Sequence, residues 1–206
     1  MKERGMIFNA EMVRALLDGR KTQTRRIIKN QREGGSWSVQ LAKNPCIPRH
    51  THDWWLPNAT QPYSALICPF GAIGERIWVR ETWARYNIDQ RSQDMAYRAT
   101  TPEDWPDGGR WRPSIHMPRW ASRILLEITD VRVERLNSIS EEDAQAEGME
   151  LTGWRPTYSD PDSGGEVWTP YDNFAQLWES IYGEESWKAN NWVWVIEFKV
   201  VNCGGD

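Results

Sequence analysis

The stretch 192-WVWVIEFKVV-201 is apolar at nearly every position, and only Glu197 and Lys199 in it are charged. A strand that faces water on one side alternates apolar and polar residues, whereas a strand covered on both faces is apolar throughout. Its ten residues also fit the length of a strand. The stretch therefore predicts a central strand that is buried on both faces, with the other elements packed around it.

Two other segments show the alternation of strands. In 121-ASRILLEITDVRVERL-136 apolar residues recur at every second position, which predicts one long bent strand or two strands joined at Thr129-Asp130. In 71-GAIGERIWVRETW-83, Ile77 and Val79 alternate with their neighbours after two glycine turns. Shorter strands are predicted at 64–68, at 94–99 and ending at Ile27-Ile28.

Three short helices are predicted from capping residues and apolar stripes. Asn9 is expected to cap a helix over 10–18, Ser140 a helix over 141–147, and Asp172 a third helix. Strands and helices do not alternate regularly, and about five or six strands are expected. These elements predict an α+β fold, a small β-barrel with flanking short helices and expanded loops.

Length and composition fit one domain that spans residues 1–206. With 39% hydrophobic and 26% charged residues, the chain has the composition of an ordinary soluble globular protein. Segments rich in polar residues, Gly, Pro or Trp predict loop insertions near 30–63, 101–114 and 150–171. Three cysteines do not make a disulfide framework, and no apolar run is long enough to span a membrane. A cytoplasmic protein without a membrane partner is therefore expected.

The stretch 18-DGRKTQTRRII-28 concentrates four cations and two threonines directly after the first predicted helix. The whole chain carries a net charge of −4, yet residues 1–32 hold nine Lys and Arg against three Asp and Glu. Such a segment is typical either of a solvated basic surface or of a site that binds an anion. The 14 tryptophans either fill the core or stack on planar ligands such as bases.

The order of these segments resembles the ASCH domain, a PUA-like β-barrel, in the versions often encoded by phages and prophages. Its most specific element is the motif G-x-K-x-x-x-x-R, which Gly19, Lys21 and Arg26 match. The stretches 71–83 and 119–201 carry the rest of the resemblance. The resemblance implies a cleft that faces RNA, nucleosides or modified bases in a bacterial host cell, without a cofactor.

Compact bacterial members of this family remove the acetyl group from N4-acetylcytidine, and they look alike at positions that correspond to Lys21, Thr24 and Glu147. The resemblance implies that these three residues are catalytic. Thr24 is then the nucleophile, Lys21 its base and Glu147 the group that handles the leaving amine. Because residues 21 and 24 lie on opposite faces of a regular strand, these roles require a turn between them.

Cationic and aromatic residues near these positions are expected to line the cleft and to bind a nucleoside or single-stranded RNA or DNA. They are Arg20, Arg25, Arg26, Arg80, Glu81, Trp83, Arg119 and Trp120. Each also has a structural interpretation, because cations often form a solvated surface or pair with neighbouring acids. Three other functions stay open: a non-catalytic module that binds RNA or a modified base, a ribonuclease, and an adaptor in phage assembly or host takeover.

A metal site is weighed at Cys46, His50, His52 and Cys68, which are residue types that bind zinc. Their spacing matches no standard zinc motif, and the nearby prolines are typical of an ordinary loop, so no metal is expected. The sequence also contains no Walker phosphate loop, no G-x-S-x-G elbow and no H-E-x-x-H motif. These absences argue against P-loop nucleotide hydrolases, α/β-hydrolases and zinc proteases.

Overall fold

The computed structural model describes residues 2–32, 36–85, 95–150, 152–155 and 166–201. It has a mixed α+β fold with several sheets and a few short helices, which confirms the predicted class. The strands are β1 (Glu3–Ile7), β2 (Gln23–Ile27), β3 (Ser38–Leu41), β4 (His50–Trp55), β5 (Ser64–Ile67), β6 (Arg76–Arg80), β7 (Trp83–Arg85), β8 (Met95–Tyr97), β9 (Leu125–Arg135), β10 (Thr152–Arg155), β11 (Glu166–Trp168) and β12 (Trp192–Val201). The helices are α1 (Ala10–Leu17), α2 (Glu141–Ala146), α3 (Pro170–Tyr182) and α4 (Glu184–Lys188), with short 3-10 turns at Ser114–His116, Arg119–Ala121 and Leu136–Ser138.

The predicted central strand is β12. The largest sheet has the order β1-β6-β9-β12-β2, and β12 pairs antiparallel with both β9 and β2. Because successive side chains of a strand point to opposite faces, Val193 and Val195 pack in a buried cluster with residues of α2 and α3. Trp194 and Ile196 pack in the other cluster, with residues of α1. The strand is therefore buried on both faces, as its sequence predicts.

β9 is one continuous strand with a bulge where the sequence predicts a bend or a break. The partners of the adjacent β12 residues 197 and 198 are Asp130 and Ile128, which leaves Thr129 as an extra residue in the ladder. A bulge of this kind bends the strand and increases its twist. The prediction of one long bent strand is confirmed, and the alternative of two strands is wrong.

β1 and β2 are the two edges of this sheet, and in the described part of the chain they do not pair to close a barrel. Arg26 of β2 donates from Nη2 to the carbonyl of Ile7, at the end of β1, at 2.9 Å. Its guanidinium lies 5.3 Å from the centre of the Phe8 ring. The side chain of Arg26 thus joins the two edge strands. In a closed barrel, backbone hydrogen bonds would join them instead. β1 runs parallel to β6 and was not among the predicted strands.

Two of the predicted loop insertions contain strands. The range 30–63 includes β3 and β4, which form an antiparallel sheet with β5, and the range 150–171 includes the pair β10 and β11. The sequence of β4, HTHDWW, does not show the alternation of apolar and polar residues that predicts a strand, because its buried residues include the polar side chains of His50, His52 and Asp53. The expectation of five or six strands is therefore wrong, since the described ranges contain twelve.

The predicted helix starts are confirmed for α1 and α2 and wrong for α3. Asn9 and Ser140 accept backbone hydrogen bonds at the first turns of α1 and α2. The cap of α3 is Thr169, and Asp172 is the third residue of a reciprocal capping box, so the helix begins three residues earlier than predicted. Among the described residues, no helix is long and apolar enough to cross a membrane.

Candidate functional site

A tight turn after α1 positions Lys21. Gly19 adopts a left-handed φ of +75°, which glycine reaches without steric strain. The amides of Arg20 and Lys21 both donate to the carbonyl of Ala15, at 2.9 and 3.0 Å. The chain therefore changes direction just before Lys21, ahead of β2. This turn does not lie between Lys21 and Thr24, where the sequence analysis expects one.

The C-terminal end of α2 lies against this turn. Glu147 caps the helix, and Gly148 follows it with a φ of +94°. A backbone hydrogen bond of 2.8 Å joins the amide of Thr22 to the last residue of α2. A Cβ atom at Gly148 would lie 2.8 Å from the Cβ of Ala15, so the close approach of the two segments requires glycine. These contacts hold Glu147 beside Lys21.

Lys21 and Glu147 form a buried ion pair. Lys21 Nζ lies 2.6 Å from Glu147 Oε2 and also donates to the Glu147 carbonyl at 2.8 Å. The two residues are 1% and 2% exposed. Burial lowers the pKa of the Lys21 ammonium below its usual 10.5, the charge and hydrogen bond of Glu147 oppose this shift, and the charges of Arg26 and Arg25 add to it. Lys21 therefore releases its proton more easily than an exposed lysine.

Thr24 lies near this pair, on β2. It is buried and pairs with Ile196 of β12. Thr24 and Glu147 line one small space of about 10 Å³, which α3 borders with Phe174 and Trp178. Lys21 is thus in direct contact with Glu147, and Thr24 lines the same small space as that glutamate.

Arg25 lies in a network of buried charges. Its side chain has no exposed surface, and its guanidinium lies 2.8 Å from Asp143, 3.2 Å from Glu134 and 3.5 Å from Glu147. Burial opposes the ionisation of Asp143, but the hydrogen bond and charge of Arg25, with the hydrogen bond of Gln23 and the charge of Arg132, hold the pKa of that carboxyl below its usual 3.8. Arg25 therefore joins α2 to β2 and β9, and it does not face external solvent.

Sequence analysis missed Glu134 and Asp143, two of the three carboxylates around Arg25, and the second cation that these two share. Arg132 pairs with Glu134 at 2.9 Å and with Asp143 at 3.5 Å, and it also contacts Glu197. Burial opposes the charge of Arg132, yet its hydrogen bonds with Glu134 and Glu197 raise its pKa above the usual value. The sequence signal for this charge network was the spacing of residues 132 and 134, because side chains two residues apart lie on the same face of a strand such as β9.

A groove of about 770 Å³ lies between α1 and α3, beside the end of α2. Charged residues of both signs line it: Glu11, Arg14, Asp18, Arg20, Glu147 and Glu150. Arg20 pairs with Asp18 at 2.9 Å and with Glu150 at 3.2 Å. Because Glu147 lines both this groove and the small space at Thr24, the buried pair adjoins a cavity large enough for a nucleoside.

Other residues predicted to bind a ligand belong to a second group, around β6 and β7. Glu81 is buried and accepts two hydrogen bonds from Arg123, at 2.9 and 3.0 Å. Burial raises the pKa of Glu81 above its usual 4.5, although Arg123 opposes the shift. Trp83 is buried, and its ring meets the exposed ring of Trp120 edge to face at 5.8 Å. Trp120 is thus the aromatic residue of this pair that solvent reaches.

Arg80 and Arg119 complete the second group. Arg80 donates to the carbonyl of Ile115 and lies 5.3 Å from the centre of the Trp78 ring. Arg119 pairs with Glu3 at 2.6 Å. None of the described hydrogen bonds or ion pairs of this group reaches the Lys21–Glu147 pair. Arg26 lies between the two groups, because it bonds to Ile7, the β1 residue that pairs with Arg80.

The residues weighed as zinc ligands do not gather around one point. Cys46 contacts His50, whereas the His52 ring bonds with the Thr51 hydroxyl and lies against Trp194. Within the described ranges, no group of three or more His, Cys, Asp or Glu is arranged to hold a metal ion.

Among known protein families, curated proteins and solved structures, none matches this chain. The resemblance of its motifs to the ASCH domain therefore stays a hypothesis.

Replacing Gly148 with alanine is expected to separate Glu147 from Lys21. The new Cβ meets Ala15, and the left-handed φ adds strain, so we expect a loss of unfolding free energy of about 2–4 kcal/mol in chemical denaturation. Gly74→Ala is the matched control, because Gly74 also has a positive φ, +82°, but a Cβ there meets nothing within 4 Å. Equal losses in the two variants would contradict the packing role of Gly148.

Proposed function

We propose that this chain is an ASCH-type protein of the PUA-like superfamily that binds a nucleoside and hydrolyses the acyl group of N4-acetylcytidine or a similar modified nucleoside. The observation that carries the proposal is the buried 2.6 Å contact of Lys21 with Glu147, a glutamate that shares a small space with Thr24 and also lines a nucleoside-sized groove. A buried lysine with a lowered pKa is a feature of catalytic sites.

The chemistry needs a nucleophile, a group that takes its proton and a donor for the leaving amine. In the proposed reaction the neutral amine of Lys21 accepts the hydroxyl proton of Thr24, whose oxygen attacks the acyl carbonyl. The bond to the cytosine N4 then breaks, and the Lys21–Glu147 pair returns the proton to that nitrogen. Water hydrolyses the acyl ester on Thr24 and regenerates the hydroxyl.

Access to Thr24 requires a movement of α3. Met12, Glu147 and Leu177 line both the groove and the small space at Thr24, so they form the boundary between the two. Leu177 lies on α3, and it is only partly buried. In the proposed mechanism a displacement of α3 joins the two spaces and lets the acyl group reach Thr24.

The barrel of the ASCH fold is part of the proposal. The five-stranded sheet bends at the Thr129 bulge, and Arg26 links its two edge strands through Ile7. Both features support a sheet that curves toward closure. They support the same assignment as the motif of Gly19, Lys21 and Arg26.

A second candidate function is non-catalytic recognition of a nucleoside or modified base. The observation in its favour is the volume beside Thr24, about 10 Å³, which holds roughly one water molecule. In this case the groove holds the ligand, and the Lys21–Glu147 pair only joins α2 to the turn after α1. The groove is common to both functions, so an activity assay separates them.

Purified protein is expected to convert N4-acetylcytidine to cytidine and acetate, measured by chromatography. Glu147→Gln should reduce kcat/KM by about 100-fold or more, the usual size of an acid–base contribution. Lys188→Met, which alters an exposed lysine of α4, should leave kcat/KM unchanged.

Gln176→Trp, on the exposed face of α3 that lines the groove, should weaken binding of the nucleoside in calorimetry. Binding without turnover would overturn the hydrolase and support recognition, and absence of binding would overturn both.

The pH dependence follows from the lowered pKa of Lys21. Since the base must be neutral, kcat/KM should rise with pH and level off with an inflection below 10.5. In Glu147→Gln the carboxylate no longer favours the ammonium form, so the inflection of the residual activity should move further down. The unfolding free energy should also rise between the folded pKa of Lys21 and 10.5, because the unfolded state binds more protons there. A rate that falls over this range would contradict the role of Lys21 as a base.

A further inference from the structure

Cys46, His50 and Asp53 form a chain of contacts on the three-stranded sheet β3-β4-β5. The Cys46 sulfur lies 3.4 Å from Nδ1 of His50, and Nε2 of the same ring lies 2.7 Å from Oδ1 of Asp53. Cys46 is exposed, whereas His50 and Asp53 are 8% and 5% exposed. A nucleophile, a base and a group that orients the base stand in this order in cysteine and serine hydrolases.

A bulge in β4 makes this arrangement possible. His50 pairs with Ile67 of β5 and the residue at 52 pairs with Leu66, so Thr51 is an extra residue in the ladder. Residues three apart in a regular strand point to opposite faces. The extra residue shifts this alternation and brings the side chains of His50 and Asp53 to the same face.

A turn then brings the thiol to the ring. The amide of His50 donates to the carbonyl of Ile47 at 2.9 Å, which folds the preceding segment back over β4. The amide of Cys46 donates to Nδ1 of His50 at 3.2 Å. In the neutral ring Nδ1 therefore carries no proton, and the proton on Nε2 is donated to Asp53. The unprotonated nitrogen is the one that faces the thiol.

We propose that Cys46 is a nucleophilic thiol, activated by His50 and Asp53, that forms mixed disulfides with low-molecular-weight disulfides. His50 Nδ1 takes the thiol proton, and the Cys46 sulfur attacks one sulfur of the disulfide. The sulfur–sulfur bond of the reagent breaks as the new one forms, and the departing thiolate takes the proton from His50. The reagent is the oxidant, so the exchange is balanced without another reactant.

Disulfides fit this site better than acyl compounds do. Acyl transfer needs N–H donors that face the developing oxyanion, and the amide of Cys46 is already bonded to His50. Disulfide exchange releases a thiolate and needs no such donors. The exposure of Cys46 on an open turn also suits a small soluble reagent. This site is independent of the proposed hydrolase and shares no residue with it.

The chain with Cys203→Ser is reacted with oxidised glutathione, and the modified masses are followed over time. We expect one glutathione per chain, at Cys46, and a rate well above that of a free thiol at the same pH. His50→Gln and Asp53→Asn should each slow this reaction by about 10-fold or more. The rates of parent and variants should converge in strongly alkaline buffer, where thiols ionise without a base.

Cys68 is the internal control for folding. Its thiol is buried, and burial raises its pKa, so the folded chain should leave it unmodified. A second glutathione on a variant would show that the variant had unfolded, and the comparison of the parent chain with a free thiol then decides the proposal. A parent rate no higher than that of the free thiol, or an equal rate in folded His50→Gln, would overturn it.

Discussion

Lys21→Met is expected to abolish the turnover of N4-acetylcytidine and to lower the unfolding free energy by about 3–5 kcal/mol. Methionine keeps most of the side-chain length but removes the ammonium that lies 2.6 Å from Glu147. The carboxylate is then left buried, and among the described ion pairs it keeps the longer contact with Arg25, at 3.5 Å. Chromatographic assay and urea denaturation measure the two losses separately. Lys188→Met, an exposed lysine, should change neither.

The double variant Lys21→Met/Glu147→Leu separates chemistry from stability. Replacing both members of a buried ion pair with apolar residues is often neutral or stabilising, because neither charge is then left without a partner. We expect the unfolding free energy to return to within about 1 kcal/mol of the parent value. Turnover should stay absent. Activity in this double variant would show that the pair is structural and that the catalytic roles proposed for Lys21 and Glu147 are wrong.

Arg25→Met is expected to have the other large effect, a loss of about 3–5 kcal/mol of unfolding free energy at neutral pH. The guanidinium is fully buried and lies within 3.5 Å of three carboxylates, on α2 and β9. Its removal leaves these negative charges close together and takes away the cation that contacts all three, while Arg132 stays beside Glu134 and Asp143 and Lys21 beside Glu147. Arg20→Met is the matched control, because its ion pairs are exposed and should contribute less than about 1 kcal/mol.

The pH dependence of Arg25→Met tests the same argument. In the parent chain Arg25 helps to hold the pKa of Asp143 below 3.8, so this contribution to stability is present above 3.8 and is lost as the pH falls through the folded pKa. In the variant that contribution is missing, and the difference in stability between parent and variant should shrink toward acid pH. A difference that stays constant from neutral to acid pH would contradict the electrostatic explanation.

Arg25 also shows that the sequence alone does not distinguish buried cations from exposed ones. The segment 18–28 reads as one basic cluster, and its four cations look equivalent. The structure divides them: Arg20 is exposed at the groove, Arg26 bridges two strands, and Lys21 and Arg25 are buried against carboxylates. If single-stranded RNA or DNA binds, its salt dependence should therefore depend on Arg20 more than on Arg25.

The sequence by itself determined the elements whose signals are local. The apolar run of β12, the alternation of β9 and the caps of α1 and α2 depend on neighbouring residues, and each was predicted correctly. β4 was missed because its buried residues are polar, and they are satisfied by partners that only the folded chain supplies.

Only the tertiary structure decided which charges meet. Lys21 and Glu147 are 126 residues apart, and their contact depends on how the end of α2 packs against the turn after α1. The same holds for His50 and Asp53, whose shared face depends on the register of β4 against β5. Whether a cation is a solvated surface charge or a member of a buried ion pair depends on the carboxylates near it. Strand register and helix packing set those neighbours, and neither is encoded in a short stretch of sequence.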